Sequence, residues 1–182
     1  KLDPRITVIR HKINRSASIA RKEGALAAKG EYTLFLDPDD SLEKDAAEIL
    51  YRTAKETDVE ILHFGTNIIN PGVTEKQVEW YTAFAKPYTD FLYGEEVFTR
   101  CFDTQDYRFN IWNKLIKTAL CKKAMAYCVD EPLPKAQDLY AYFLIAYFAD
   151  SYYGIENKFY NYAFGGGVSG SKEFTEEKFR RH

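Results

Sequence analysis

The sequence predicts an α/β fold in which a mainly parallel sheet is flanked by helices and the C-terminal half is more helical. Two features carry that expectation. Short apolar runs alternate with stretches of about a dozen residues that read as helices, the arrangement of βαβ units. One of those runs, Leu34-Phe35-Leu36, ends abruptly in Asp37-Pro38-Asp39-Asp40. Such runs make buried strands, and the carboxyl ends of strands are where open α/β sheets bind ligands.

Taken in order, Ile6-Thr7-Val8-Ile9 reads as a strand. Ser16 or Ser18 can cap a helix running to Ala28, with Gly30 as its stop signal. Tyr32 to Leu36 is the next strand, Ser41 caps a helix through Glu56, and Val59 to Phe64 is a third strand. Regularity breaks at the turn signal Asn70-Pro71-Gly72. Gln77 to Phe84, Glu95 to Phe102 and Thr118 to Ala126 read as helices, and Val129 to Pro134 as a loop. The helix from Lys135 to Ala149 is apolar on nearly every side, which places it deep in the core. Tyr152 to Phe164 reads as a strand pair, and Gly165 to Ser171 is flexible by composition. No internal boundary is visible, so residues 1–182 form a single domain, with a βα half over 1–70 and a mixed half over 71–182.

With 182 residues the chain can bury one core. A net charge of −2 gives no electrostatic footprint for nucleic acid. The aromatic content of 16% suits sugar-binding clefts, but such side chains mostly fill cores. Cys101, Cys121 and Cys128 form no C-x-x-C pair, and His11, His63 and His182 form no zinc pattern. Reduced thiols fit a cytoplasmic setting. The longest apolar stretch, Leu139 to Ala149, is too short to span a membrane, which leaves at most a peripheral place at the inner face of one.

The acids carry the chemistry. Hard divalent cations take carboxylate oxygens and keep waters and substrate phosphates as their other ligands. Asp37, Asp39 and Asp40 therefore read as a metal site for a phosphorylated substrate, although a strand end followed by a helix N-cap accounts for the same residues. Arg21 lies on the preceding helix, where it can reach a phosphate, pair with an acid or stay solvated. Asp138 opens the apolar helix, where the positive end of the dipole favours an ionised carboxylate.

Asn14-Arg15-Ser16, Ala20-Arg21-Lys22-Glu23-Gly24 and Ala28-Lys29-Gly30-Glu31-Tyr32 lead into Leu36-Asp37-Pro38-Asp39-Asp40. This ordered set resembles the N-x-G, A-R-N-x-G, A-x-G-E-Y and L-D-x-D-D stretch of family 2 glycosyltransferases, of GT-A fold. Asn113-Lys114-Leu115, Gln137-Asp138-Leu139 and Tyr160-Asn161-Tyr162 with Ser169 and Ser171 resemble the family's N-K-L, E-D-L and Y-x-Y-R…S-x-S segments. Ser16, Lys22, Gln137 and Ala163 depart from its glycine, asparagine, glutamate and arginine.

The resemblance implies a partial, Rossmann-like GT-A domain that begins after the family's nucleoside-binding strands. The chain is then the C-terminal portion of a catalytic domain, inactive alone, whose first partner is the missing N-terminal segment of the same enzyme. An unpaired sheet edge would invite a homo-oligomer.

The implied activity is metal-dependent, inverting transfer of a sugar from a nucleotide-sugar, a UDP-sugar first among them, to a hydroxyl of a glycan, glycolipid or glycoprotein. Asp39 and Asp37 would hold Mn²⁺ or Mg²⁺. Asp40 would orient the donor sugar or cap the following helix, and Arg21 would contact phosphate. Asp138 would be the catalytic base. Trp112, Asn113 and Lys114 would lie on the acceptor side or pack in the core. Tyr160, Tyr162 and Trp112 are candidates for a sugar subsite or for core packing, and the glycine-rich loop takes the place of a C-terminal lid. Two rivals remain. Asp37-Pro38-Asp39-Asp40-Ser41 loosely resembles the first motif of haloacid-dehalogenase-type phosphohydrolases, with Asp37 as nucleophile and Asp39 as acid. The other is a degenerate, non-catalytic glycosyltransferase-like binding module.

Overall fold

The computed structural model describes residues 3–69, 74–133 and 135–164. The turn signal at Asn70-Pro71-Gly72, Pro134 and the loop and serines from Gly165 onward lie outside the described residues.

Helix α1 (Ser16–Ala27) leads to strand β1 (Tyr32–Leu34), the short β2 (Ser41–Leu42), helix α2 (Ala46–Thr57) and the long β3 (Ile61–Ile69). Helix α3 (Glu75–Phe84), β4 (Phe91–Tyr93), α4 (Glu95–Phe102), β5 (Lys114–Lys117), α5 (Thr118–Tyr127), α6 (Gln137–Phe148) and β6 (Ser151–Ala163) follow. The strands make one sheet in the order β1-β5-β3-β6-β2, and β4 also pairs with β6. The fold is α/β with helices flanking the sheet, as expected.

The sheet is mixed rather than mainly parallel, because only β3 and β6 pair in parallel. Strands β1 and β3 do run the same way, as a helical crossover requires, but β5 lies between them antiparallel to both. Alternation along the chain predicted their direction and missed the inserted neighbour. Strand β3 is buried on both faces, which explains its near-continuous apolar run. Ile61 packs with Val97, Ile116, Tyr142 and Ile145 beneath α4, α5 and α6. Its neighbour Leu62 packs on the opposite face with Leu50 and Ala54 of α2.

Strand β6 is one strand of 13 residues, not a pair. It holds to β3 through an irregularity at Gly65, where the partner register moves from Phe64↔Ile155 to Gly65↔Lys158 and Thr66↔Tyr160. A side chain cannot replace Gly65, since a Cβ there would sit 2.6 Å from the Glu156 carbonyl oxygen.

Other boundaries moved for local reasons. Ile6 to Ile9 are exposed and join no strand among the described residues. Ser41 begins β2 on β6 instead of capping a helix, and α2 starts after Asp45. Helix α3 begins with a capping box in which the Thr74 hydroxyl accepts from the Gln77 amide. Helix α6 buries Ala141, Tyr142, Ile145 and Ala146, yet Leu139, Phe143 and Tyr147, one turn apart, are 38%, 40% and 66% exposed. Its all-round apolarity therefore covers one buried face and one solvent-facing stripe. Among the described residues no helix is long and apolar enough to cross a membrane.

The turn before β5 is held by Asn113, fully buried, whose Nδ2 donates to the carbonyls of Ala85 (2.9 Å) and Phe64 (3.1 Å). Asn113→Ala strands these acceptors inside the protein. It should lower unfolding free energy by about 3 kcal/mol, since each buried orphan costs ~1–3 kcal/mol; urea titration measures it.

Candidate active site

The acidic turn follows β1 and closes on itself when the Asp40 amide donates to the Asp37 carbonyl (3.1 Å). Three elements converge on it. From α1, Arg21 Nη2 donates to Asp37 Oδ1 at 2.6 Å, while its Nη1 donates to Asp138 Oδ1 at the start of α6. From β6, the Tyr160 hydroxyl donates to Asp40 Oδ2 (2.6 Å) and accepts from the Asp37 amide (3.2 Å), and the Ala163 amide donates to Asp40 Oδ1 (2.7 Å). Arg21 thus joins acids far apart in the chain. A cleft of about 680 Å³ runs between α1 and β1, bordered by Ala20, Gly24, Tyr32, Arg21 and Asp37.

Electrostatics follow from burial. Asp138 is held above the ordinary carboxylate range by burial, against the opposing pull of Arg21. Burial lowers Arg21, but the carboxylates of Asp138 and Asp37 outweigh it and its net shift is upward. Asp40 is raised by burial despite the hydrogen bonds from Tyr160 and Ala163.

Asp39 is exposed at the apex of the turn, and Asp37 is half-buried with Oδ1 on Arg21. Among the described residues no group of three or more His, Cys, Asp or Glu side chains gathers to hold a metal. Within the turn, Asp37 and Asp39 are the carboxylates not committed to β6 that could serve a hard cation. That set suits Mg²⁺, which commonly takes one or two carboxylates and completes its shell with water and substrate phosphates. Asp40 caps no helix; each of its oxygens already accepts a bond from β6.

The remaining candidates lie deeper than an acceptor-facing position requires. Asn113 and Lys114 are fully buried and Trp112 nearly so. Lys114 Nζ donates to the carbonyls of Asn110 (2.5 Å) and Arg108 (2.9 Å) and lies 4.6 Å from the centre of the Tyr142 ring. Trp112 packs on Tyr160 and Tyr162, with ring centres 4.7 and 5.3 Å away. All three are core residues here, and the N-K-L segment leads from the turn at Asn113 into β5. Tyr160 is the contact that sequence reasoning missed: the Tyr-Asn-Tyr pattern marked it, but nothing local shows that its hydroxyl reaches the acidic turn. Cys101 and Cys121 are raised to about 12 by burial, so neither is a nucleophile.

A sheet with flanking helices, carrying strand-end acids that converge with a helix-start acid, defines an α/β domain of the GT-A type. The family model for glycosyl transferase family 2 matches residues 1–116, and the chain belongs to that family. EpsH of Bacillus subtilis (strain 168), which bears a glycosyltransferase name, is 28% identical over 164 residues, covering 89% of this chain and 45% of EpsH. The crystal structure of S. aureus TarS 1–349 in complex with UDP-GlcNAc superposes with a TM-score of 0.65 at 20% identity, covering 93% of this chain and 45% of that one. The same TarS segment in complex with UDP gives 0.54 at 20% identity, over 78% and 38%. The chain thus spans under half the length of these relatives. Family membership removes the phosphohydrolase reading.

Burial brings Lys114 from 10.5 down to about 7. The unfolded chain holds that proton up to about 10.5 and the native chain releases it near 7, so between these values the unfolded state binds more protons and stability rises with pH. Denaturation between pH 7 and 10 should show this slope in the native sequence and lose it in Lys114→Met.

Proposed function

We propose that the full-length protein transfers a sugar from a uridine diphosphate sugar to a hydroxyl of a glycan, glycolipid or glycoprotein, with inversion and with Mn²⁺ or Mg²⁺. The observation that carries this reading is the Arg21 bridge, which holds a strand-end acid and a helix-start acid at one site. Family membership supplies the reaction class, and the UDP-GlcNAc and UDP complexes of TarS favour a uridine nucleotide.

In this reading Asp39 and Asp37 hold the metal, which when bound offsets the charge of the diphosphate leaving group. Arg21 adds a fixed positive charge beside Asp37. Asp138 takes the proton of the attacking hydroxyl. Its pKa, raised by burial against the pull of Arg21, makes it a stronger base than an exposed aspartate. Its position at the start of a packed helix fixes its aim.

Asp138→Asn keeps the shape and removes the proton acceptor. Turnover by the full-length protein should fall by roughly 10²–10⁴-fold, the range for a lost general base, with UDP affinity nearly unchanged. Near-normal turnover would remove Asp138 from the mechanism. Asp39→Ala should instead abolish the gain in UDP affinity that Mn²⁺ brings, as read by calorimetry; an intact gain would displace the metal from this turn.

A further inference from the structure

We propose that Tyr160 is a positioning residue whose hydroxyl latches the acidic turn into its donor-binding shape, with Asp40 as the anchor of that latch and not a donor contact. The inference rests on the reading of Asp37 and Asp39 as the metal and diphosphate site.

The Tyr160 hydroxyl contacts both ends of the four-residue turn. It accepts from the amide of Asp37 at 3.2 Å and donates to Oδ2 of Asp40 at 2.6 Å. The amide of Ala163 fills the other Asp40 oxygen at 2.7 Å. A phenol has one proton to give and lone pairs to receive, so it can serve both ends at once. The ring is fully buried and packs against Trp112 with centres 4.7 Å apart, so the hydroxyl has little freedom to wander. Immediately after the turn, Leu42 pairs with Tyr160 itself across β2 and β6. The first and last acids of the turn are therefore bound to one strand, while Asp39 stands exposed between them. A residue needing to present two carboxylates in one geometry to a cation gains from such fixation, because a loose ligand pays ordering entropy on binding.

The test is calorimetry of UDP binding in saturating Mn²⁺ by the full-length protein, comparing the native sequence with Tyr160→Phe, Asp40→Asn and the double variant. Tyr160→Phe keeps the ring on Trp112 and removes only the hydroxyl. Each single change should weaken UDP binding about tenfold, and the double variant should be no weaker than either single, since both act on one latch. Should Tyr160→Phe melt before binding can be read, Asp40→Asn carries the same expectation. Native affinity in both single variants, with only the melting temperature lowered, would reduce Tyr160 to a stability role and overturn the proposal. Losses that add in the double variant would overturn the shared latch. If the native protein binds no UDP with Mn²⁺, the donor-site reading fails and the latch with it, an outcome separate from native-like binding by the variants.

Discussion

One guanidinium organises this domain. Arg21 lies on the first helix, and its two terminal nitrogens engage Asp37 after the first strand and Asp138 at the start of the last helix. Both carboxylates are partly withdrawn from water, with side-chain exposures of 29% and 21%. Two such charges in proximity repel, and an isolated buried carboxylate would take up a proton instead of remaining an ion. The planar, permanently charged arginine fork resolves both problems, and lysine, a single point charge, would not span the two acids in the same way. The bridge adds a polar tie to the core that already joins Phe35, just before the acidic turn, with Ala141 and Tyr142 of α6.

Around this bridge the acids divide their tasks. Asp40 is committed to β6, Asp37 is shared between the backbone latch and the arginine, and Asp39 alone is exposed. A run that looks uniform in sequence therefore contains three different environments. The same division separates Asn113 and Lys114 from the surface. Their polar groups are consumed by the turn that delivers β5 into the middle of the sheet, where burial brings the Lys114 ammonium within reach of neutral pH.

How much of this was legible in the sequence depends on the range of the interaction. The helices α1, α4 and α5 and the acidic strand end were readable because periodicity and composition act over a few residues, although the expected cap at Ser16 or Ser18 does not form: Arg15 stands at the N-cap of α1, without a side-chain cap bond. Membership of glycosyl transferase family 2 was readable from ordered short motifs. The place of β5 between β1 and β3, the single long β6 and the solvent-facing stripe of α6 were not, because strand pairing and burial are settled by partners distant in the chain. Ile6 to Ile9 show the converse: a good strand pattern stays exposed and joins no strand among the described residues. Tyr160 is the clearest gap, since an aromatic residue in a strand carries no mark that its hydroxyl will be used.

The irregularity opposite Gly65 has a consequence of parity. Side chains along a strand alternate between faces, so residues separated by an even number share one. Tyr152 and Tyr160 are so separated, yet Tyr152 packs in the core beneath α4, α5 and α6 and Tyr160 in the opposite one, beside the acidic turn. Across the two register shifts β6 carries three extra residues, Glu156 and Asn157 before Lys158 and Phe159 after it, and this odd number inverts the alternation midway along the strand. Length in this stretch is thus as strictly constrained as residue type. A single insertion or deletion there would turn the Tyr160 hydroxyl toward the wrong core and separate β6 from the acidic turn.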